Sequence, residues 1–148
     1  MTKRTIALTL SHDSVLLVRL HPEPLFLREA CHGQSEWPKV IASLLDQAGA
    51  IPAPEASYDF PGATCISVNA NIAHGIPGSR ILASGDLVNI DVSASKNGYF
   101  ADTGASFRLG QVTPTIDHLC RDGKRAMQIG IAEVSANKPL ANIGNAIG

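Results

Sequence analysis

The sequence predicts an α+β fold, and two kinds of pattern carry that prediction. Apolar and polar residues alternate through Leu87 to Ser93 and again through Tyr99 to Phe107, with Asn97-Gly98 between them; this is the strongest short-range signal for an antiparallel hairpin. Apolar residues at helical spacing recur in two other stretches, 40–48 and 116–134, each beside residues that start or stop helices.

In chain order, Thr5 to Leu10 and Val15 to Leu20 read as short strands around the polar turn Ser11 to Ser14. His21 to Ser35 has no period and reads as irregular. Ser35 offers an N-cap for a first helix, with Glu36 and Pro38 in its opening turn. Val40, Ile41, Leu44, Leu45 and Ala48 form its stripe, and Gly49 can end it. Ile51 to Ala56 reads as a Pro/Ala linker. Cys65 to Val68 and Ile72 to His74 read as short strands, and His74 to Gly78 as a turn-rich loop. After the hairpin, Thr113-Pro114-Thr115 opens a second helix with the stripe Ile116, Leu119, Cys120, Met127, Ile131 and Val134. Lys138-Pro139 breaks it, and Leu140, Ile143 and Ile147 begin a third helical stripe.

Composition narrows the functional classes. With 148 residues, 45% hydrophobic and 17% charged, this is a globular chain and not a disordered one. A net charge of −1 gives no bulk attraction to nucleic acid or anionic lipid. Cys31, Cys65 and Cys120 form no CxxC pair, so neither a zinc knuckle nor a disulfide framework is expected, and a reducing, cytoplasmic setting is the default. No apolar stretch approaches the length of a membrane span.

The hairpin carries the chemistry. Along its first strand Leu87, Asn89, Asp91 and Ser93 share one face; along its second, Asp102, Gly104 and Ser106 share one. The apolar faces must coincide, because a slip of one residue would mix core and polar sides. Asp91 and Asp102 therefore lie on the same face. A two-residue loop of Asn97-Gly98 pairs Asp91 with Gly104 and leaves Asp102 diagonal to it; a loop of Lys96-Asn97 would set the two aspartates directly opposite. Like charges so placed are destabilising unless something positive lies between them. A divalent metal answers that need, calcium as well as a transition metal; the alternative is a solvated polar face. His74 precedes Gly75-Ile76-Pro77 in a loop that could lie near this face, though a lone histidine is more often structural. Cys65, in an apolar run, reads by itself as a buried small hydrophobe. His12, His21, His32 and His118 carry no constellation.

Four ordered blocks resemble the methionine aminopeptidases, in their type I bacterial form. Residues 58–69 resemble the family's FP-x-x-x-C-x-S-x-N block, through Phe60, Pro61, Cys65, Ser67 and Asn69. His74-Gly75-Ile76-Pro77 matches HGIP, residues 85–92 match GD-x-x-x-ID, and residues 97–103 match G-[YF]-x-AD-T. The resemblance runs from about Trp37 to Gly148. It implies half of a pseudo-two-fold pita-bread fold, an antiparallel sheet with helices packed on one side. It divides the chain into a divergent segment, 1–35, and a peptidase-like domain, 36–148.

The resemblance also implies a function, removal of the N-terminal methionine from nascent polypeptides in the cytoplasm, with no nucleic acid or membrane partner. Asp91 and Asp102 match the first two metal ligands, His74 the histidine beside the scissile carbonyl, and Cys65, Phe60 and Tyr58 the pocket for the methionine side chain. Thr103 would support the ligands from behind. The cofactors implied are two divalent ions, cobalt, manganese, iron or zinc. The family's remaining histidine and two glutamates belong to its second half. Glu133, Asp122 and His118 lack the motif context for those roles, so the chain reads as the amino-terminal half, cut before the site is complete. Weak or partial metal binding and self-association through an exposed half-core are then expected. The alternatives are an inactive peptidase-like fragment serving as a folded binding module, a non-functional product, and a site completed by another chain.

Overall fold

The computed structural model describes residues 6–10, 16–20 and 34–148. The chain divides into two compact units, 1–111 and 112–148, each considered by itself.

The first unit opens with β1 (Ile6–Leu10) and β2 (Leu16–Leu20), antiparallel and in register from Ile6 opposite Leu20 to Leu10 opposite Leu16. Thr5, Val15 and the turn Ser11 to Ser14 lie outside the described residues. So do positions 21–33, with Cys31, His12, His21 and His32.

Helix α1 (Trp37–Gln47) begins with Pro38 in its first turn, where a missing N–H costs nothing. Its cap position is Glu36, not Ser35, and no side chain bonds there; the proline alone presets the helical turn. Trp37, Ile41, Leu44 and Leu45 are buried along one stripe. The helix ends at Ala48, Gly49 takes the left-handed conformation (φ 64°), and Lys96 Nζ donates to the Ala48 carbonyl, a cation at the negative end of the helix dipole.

The stretch expected to be a Pro/Ala linker is ordered. Ile51–Pro52 form β3, and Ala53–Tyr58 form the short helix α2, which stops where Asp59 turns left-handed at φ 58°. Proline at the start of α2 fixes the backbone angle that a first turn needs, so it acts as an initiator and not as a breaker. Next comes β4 (Cys65–Val68). Ile72 to His74, expected as a strand, is not one, and Ile72 is fully exposed.

Strands β5 (Leu87–Lys96) and β6 (Tyr99–Arg108) form the expected hairpin, extended to meet at Lys96 opposite Tyr99. Asn97 and Gly98 both have positive φ, 53° and 79°, as a type I′ turn requires, so the ladder runs to the turn itself. β6 pairs along the whole length of β5, while β4 pairs with residues 88–91 of β5 and β3 with residues 94–95. All pairings are antiparallel. Val88, Ile90, Val92 and Ala94 point to one face, where they meet Ile66 and Val68 from β4 and the buried stripe of α1. Val88 and Ile90 are 0% and 1% exposed. The architecture is α+β, as expected: an antiparallel sheet with a helix packed on its apolar side.

The second unit is a helical pair. Thr113 caps α3 (Pro114–Ala132), its Oγ1 accepting from the Ile116 N–H at 3.4 Å. α4 (Ala141–Ile147) follows the Lys138-Pro139 break. Gly130, buried on α3, lets the helices approach closely: a Cβ there would lie 2.8 Å from Ile147 Cδ1 and 3.4 Å from Ile143 Cγ2. Among the described residues no helix is long and apolar enough to cross a membrane.

Candidate metal centre

The same alternation that buries Val88, Ile90 and Val92 turns Asn89, Asp91 and Ser93 to the opposite face of the sheet. On that face Asp91 has Gly104 opposite it on β6 and Cys65 opposite it on β4. Asp102 is opposite Ser93, and so diagonal to Asp91. Of the two registers that the sequence allows, the one set by the Asn97-Gly98 loop is found.

The two carboxyls interact directly. Partial burial pushes the Asp91 carboxyl above its ordinary range, and a hydrogen bond shared with Asp102 and the charge of Asp102 push it further; the charge of His74 pulls the other way without reversing the shift. Burial, then the charges of Asp91 and Asp102, likewise raise the Cys65 thiol. Tyr58, more exposed, is raised by desolvation and by Cys65, Asp91 and Asp102 in turn. A field that holds protons on neighbouring groups is the field that a cation relieves. The donor set, two carboxylates on a rigid ladder, fits a hard or borderline divalent ion. Among the described residues no group of three or more His, Cys, Asp or Glu side chains is arranged to hold a metal.

Residues outside the motif blocks' chemistry shape this face. A Cβ on Gly104 would lie 3.7 Å from Asp91 Oδ1 and 3.3 Å from the Ile90 carbonyl oxygen, so glycine keeps the space in front of the carboxylate open. A glycine in a strand interior is the signal that points to it. Thr64, completely buried, donates from Oγ1 to the Asp91 carbonyl oxygen at 2.5 Å and fixes the backbone under the carboxylate. No local pattern announces that bond, which joins residues far apart in sequence.

His74 is exposed on the loop 69–86 and has a positive φ of 51°. Such a backbone is uncommon for a residue with a side chain and is held by its surroundings. What holds it is Gly75: its N–H donates to Ser67 Oγ at 3.1 Å and its carbonyl accepts from the Ile66 N–H at 2.9 Å. A Cβ on Gly75 would collide with the Ile66 carbonyl oxygen, so only glycine permits this approach. The serine of the C-x-S pattern and the glycine of HGIP thus hold each other.

The substrate candidates separate. Tyr58 lines a cleft of about 280 Å³ between α2 and the hairpin, with Ser57, Ser93, Phe100 and Asp102 in its wall. Cys65 and Phe60 are not in that wall; Cys65 is buried beside Asp91 on the neighbouring strand, and Phe60 packs edge-on to the Tyr58 ring at 6.1 Å. Thr103 stands opposite Val92 on the far face of the hairpin, so its side chain is not gathered with those of the aspartates.

Comparison with known proteins gives one family. The model of metallopeptidase family M24 matches residues 32–148. Methionine aminopeptidase 2 of Bacillus subtilis strain 168 is 50% identical over 106 residues, covering 71% of this chain and 43% of that protein. A methionine aminopeptidase of Staphylococcus epidermidis is 48% identical over 109 residues, covering 73% of this chain and 43% of that protein. Among solved structures, a methionine aminopeptidase from Rickettsia prowazekii superposes with a TM-score of 0.74 at 33% identity, covering 78% of this chain and 46% of that one. The chain thus spans less than half the length of these three relatives.

Proposed function

The chain belongs to metallopeptidase family M24, and from that premise we propose that it carries the amino-terminal half of the catalytic centre of a type I methionine aminopeptidase. The family is one of metallopeptidases, so divalent metal is the cofactor class. The observation that carries the reading is the diagonal placement of Asp91 and Asp102 on one face of the hairpin.

In this reading Asp91 and Asp102 hold the metal through their carboxylate oxygens. When bound, a divalent ion acidifies a water and polarises the scissile carbonyl. Asp102 also borders the cleft beside Tyr58, which places a carboxylate at the end of a partly apolar recess. That recess takes the first residue of a polypeptide with its methionine side chain along Tyr58 and Phe100, and Phe60 supports the Tyr58 ring from outside it. Cys65 flanks Asp91 on the neighbouring strand and closes that side of the site. His74, on its anchored loop, serves the attack on the first peptide bond. The setting is the cytoplasm, where nascent chains are trimmed.

A second reading, a folded chain that binds metal weakly without turnover, is favoured by the lack of a third metal-holding side chain among the described residues. In that state the apolar residues that α3 leaves exposed, Leu119, Met127 and Ile131, would drive self-association, seen as concentration-dependent sedimentation.

Titration calorimetry with manganese(II) tests the ligands. Wild-type chain is expected to bind weakly, Asp91→Ala and Asp102→Ala to bind at least ~tenfold more weakly, and Asp122→Ala to match wild type. Binding that ignores both hairpin substitutions would sink the assignment. Methionine release from a Met-Ala peptide separates the two readings: metal-dependent release supports a complete centre, and its absence with metal bound supports the weak-binding state.

A further inference from the structure

We propose that Asp86 is a positioning residue that clamps both ends of the loop carrying His74. The inference rests on the reading that His74 works beside Asp91 and Asp102.

Loop 69–86 leaves β4 at Asn69 and re-enters the sheet at Leu87. It contains no helix or strand, only turns and an isolated bridge residue at Ile81. Asp86 sits at its end and is only 6% exposed. A carboxylate so placed is costly unless donors surround it. Oδ1 accepts from Asn69 Nδ2 at 2.7 Å and from Arg80 Nη2 at 2.9 Å, and Oδ2 accepts from the Ala83 N–H at 2.9 Å. These donors come from the first residue of the loop and from two places on its return limb. Asn69, held at φ 54°, completes the closure by accepting the Leu87 N–H at 2.9 Å. Gln34 braces the return limb independently, accepting the Gly78 N–H at 3.3 Å and donating its own N–H to the Arg80 carbonyl oxygen at 3.2 Å.

The loop is therefore pinned at its ends by one carboxylate and at its middle by Gly75 against β4. His74 is the residue next to the middle pin, and its backbone angle is one that it would not adopt freely. Without the carboxylate the span keeps the two bonds of Gly75 to β4 and the Gln34 brace, but the tie from Asn69 to Arg80 and Ala83 is lost. With the ends fixed, His74 keeps its place beside the Gly75 anchor on β4. Asp86 touches neither the metal ligands nor a substrate; it acts through the loop.

Amide hydrogen exchange on the 148-residue chain, followed by NMR, tests this without reference to activity. Asp86→Ala is expected to accelerate exchange of the Ile66 and Gly75 amides by ~tenfold or more, to move or broaden the His74 imidazole resonance, and to leave the Ile90 and Val92 amides within ~twofold of wild type. Asp86→Asn, which keeps the shape and one acceptor oxygen, is expected to fall between. Arg80 is half exposed, so Arg80→Gln tests the clamp at little risk to folding, with ~threefold acceleration expected at Gly75. Two outcomes overturn the proposal: unchanged Gly75 exchange in both Arg80→Gln and whichever Asp86 variant folds, or equal acceleration across the sheet, which would make Asp86 a general support. Manganese(II) titration of Asp91→Ala judges the metal reading separately, so failure of one leaves the other standing.

Discussion

Two aspartates on one stretch of chain have opposite fates. Asp86, just before β5, is buried among three donors. Burial alone would raise its carboxyl, but the Ala83 N–H, the Asn69 amide and the Arg80 guanidinium together hold it below the usual range. Asp91, in the middle of β5, is less buried but has a second carboxyl as its neighbour, and it sits above that range. The same residue type is a structural tie where the fold supplies positive partners and an unresolved charge where it supplies another acid. A carboxylate left without compensation on a rigid, well-packed ladder marks where a cation is wanted; a satisfied one marks where the chain is being held.

The largest expected effect breaks the satisfied site. Asp86→Ala leaves the Ala83 N–H and the Asn69 amide without their acceptor and Arg80 without its counter-ion, and should cost about 3 kcal/mol in urea unfolding. The opposite sign is expected at the frustrated site. Asp91→Asn, in metal-free chain at neutral pH, removes a partly desolvated charge beside a like charge and should stabilise slightly, by no more than a few tenths of a kcal/mol because solvent screens the pair. Saturating manganese(II) should reverse that order, because an ion that binds only the folded wild type adds its binding free energy to stability. If Asp91→Asn destabilised the metal-free chain, the two sites would not differ in kind.

Smaller but more diagnostic is the pH dependence. The folded carboxyl of Asp86 lies below its unfolded value of about 3.9, so its contribution is fully present above that pH and is lost as pH falls through the folded value. The folded carboxyl of Asp91 lies above its unfolded value, so its penalty grows as pH rises from about 3.9 through the folded value and is then constant. Urea midpoints against pH should therefore flatten at the acid end for Asp86→Asn. For Asp91→Asn they should flatten at the higher end of the carboxylate range.

The hairpin is legible in the sequence because its information is local. An Asn-Gly pair, alternation on both sides and the need to keep Val88, Ile90 and Val92 on one face leave two registers open, and either one suffices to gather Asp91 with Asp102. Cys65 opposite Asp91 is not readable in that way, because β4 and β5 are joined by a long irregular loop whose course no periodicity reports. The part that Thr64 plays stays hidden, and so does that of Asp86 although it stands in a motif block; Gly104 is flagged only as a glycine inside a strand. Their roles are bonds to, or space for, residues that only the folded sheet brings near. The misleading signals are local too. Prolines in 51–56 suggest a break, yet they start α2, and Ser35 suggests a cap where Pro38 alone initiates α1. Ile72 to His74 resembles a strand because it is largely apolar, but the contact with β4 is made by Gly75, through its backbone.

The loop lengths around β5 also set an order of events in time. β5 and β6 are joined by two residues, so their pairing closes almost no chain and belongs to the microsecond class of hairpin formation. β4 must find β5 across the whole of 69–86, against a larger entropy of closure, and its edge is finished only when Gly75 docks. The two aspartates therefore meet early, on a nascent ribbon, and His74 arrives late. During that interval the like charges oppose the hairpin that brings them together. A divalent ion held by these two carboxylates, as proposed above, is expected to relieve that repulsion and speed this first step, which stopped-flow refolding with and without manganese(II) would show.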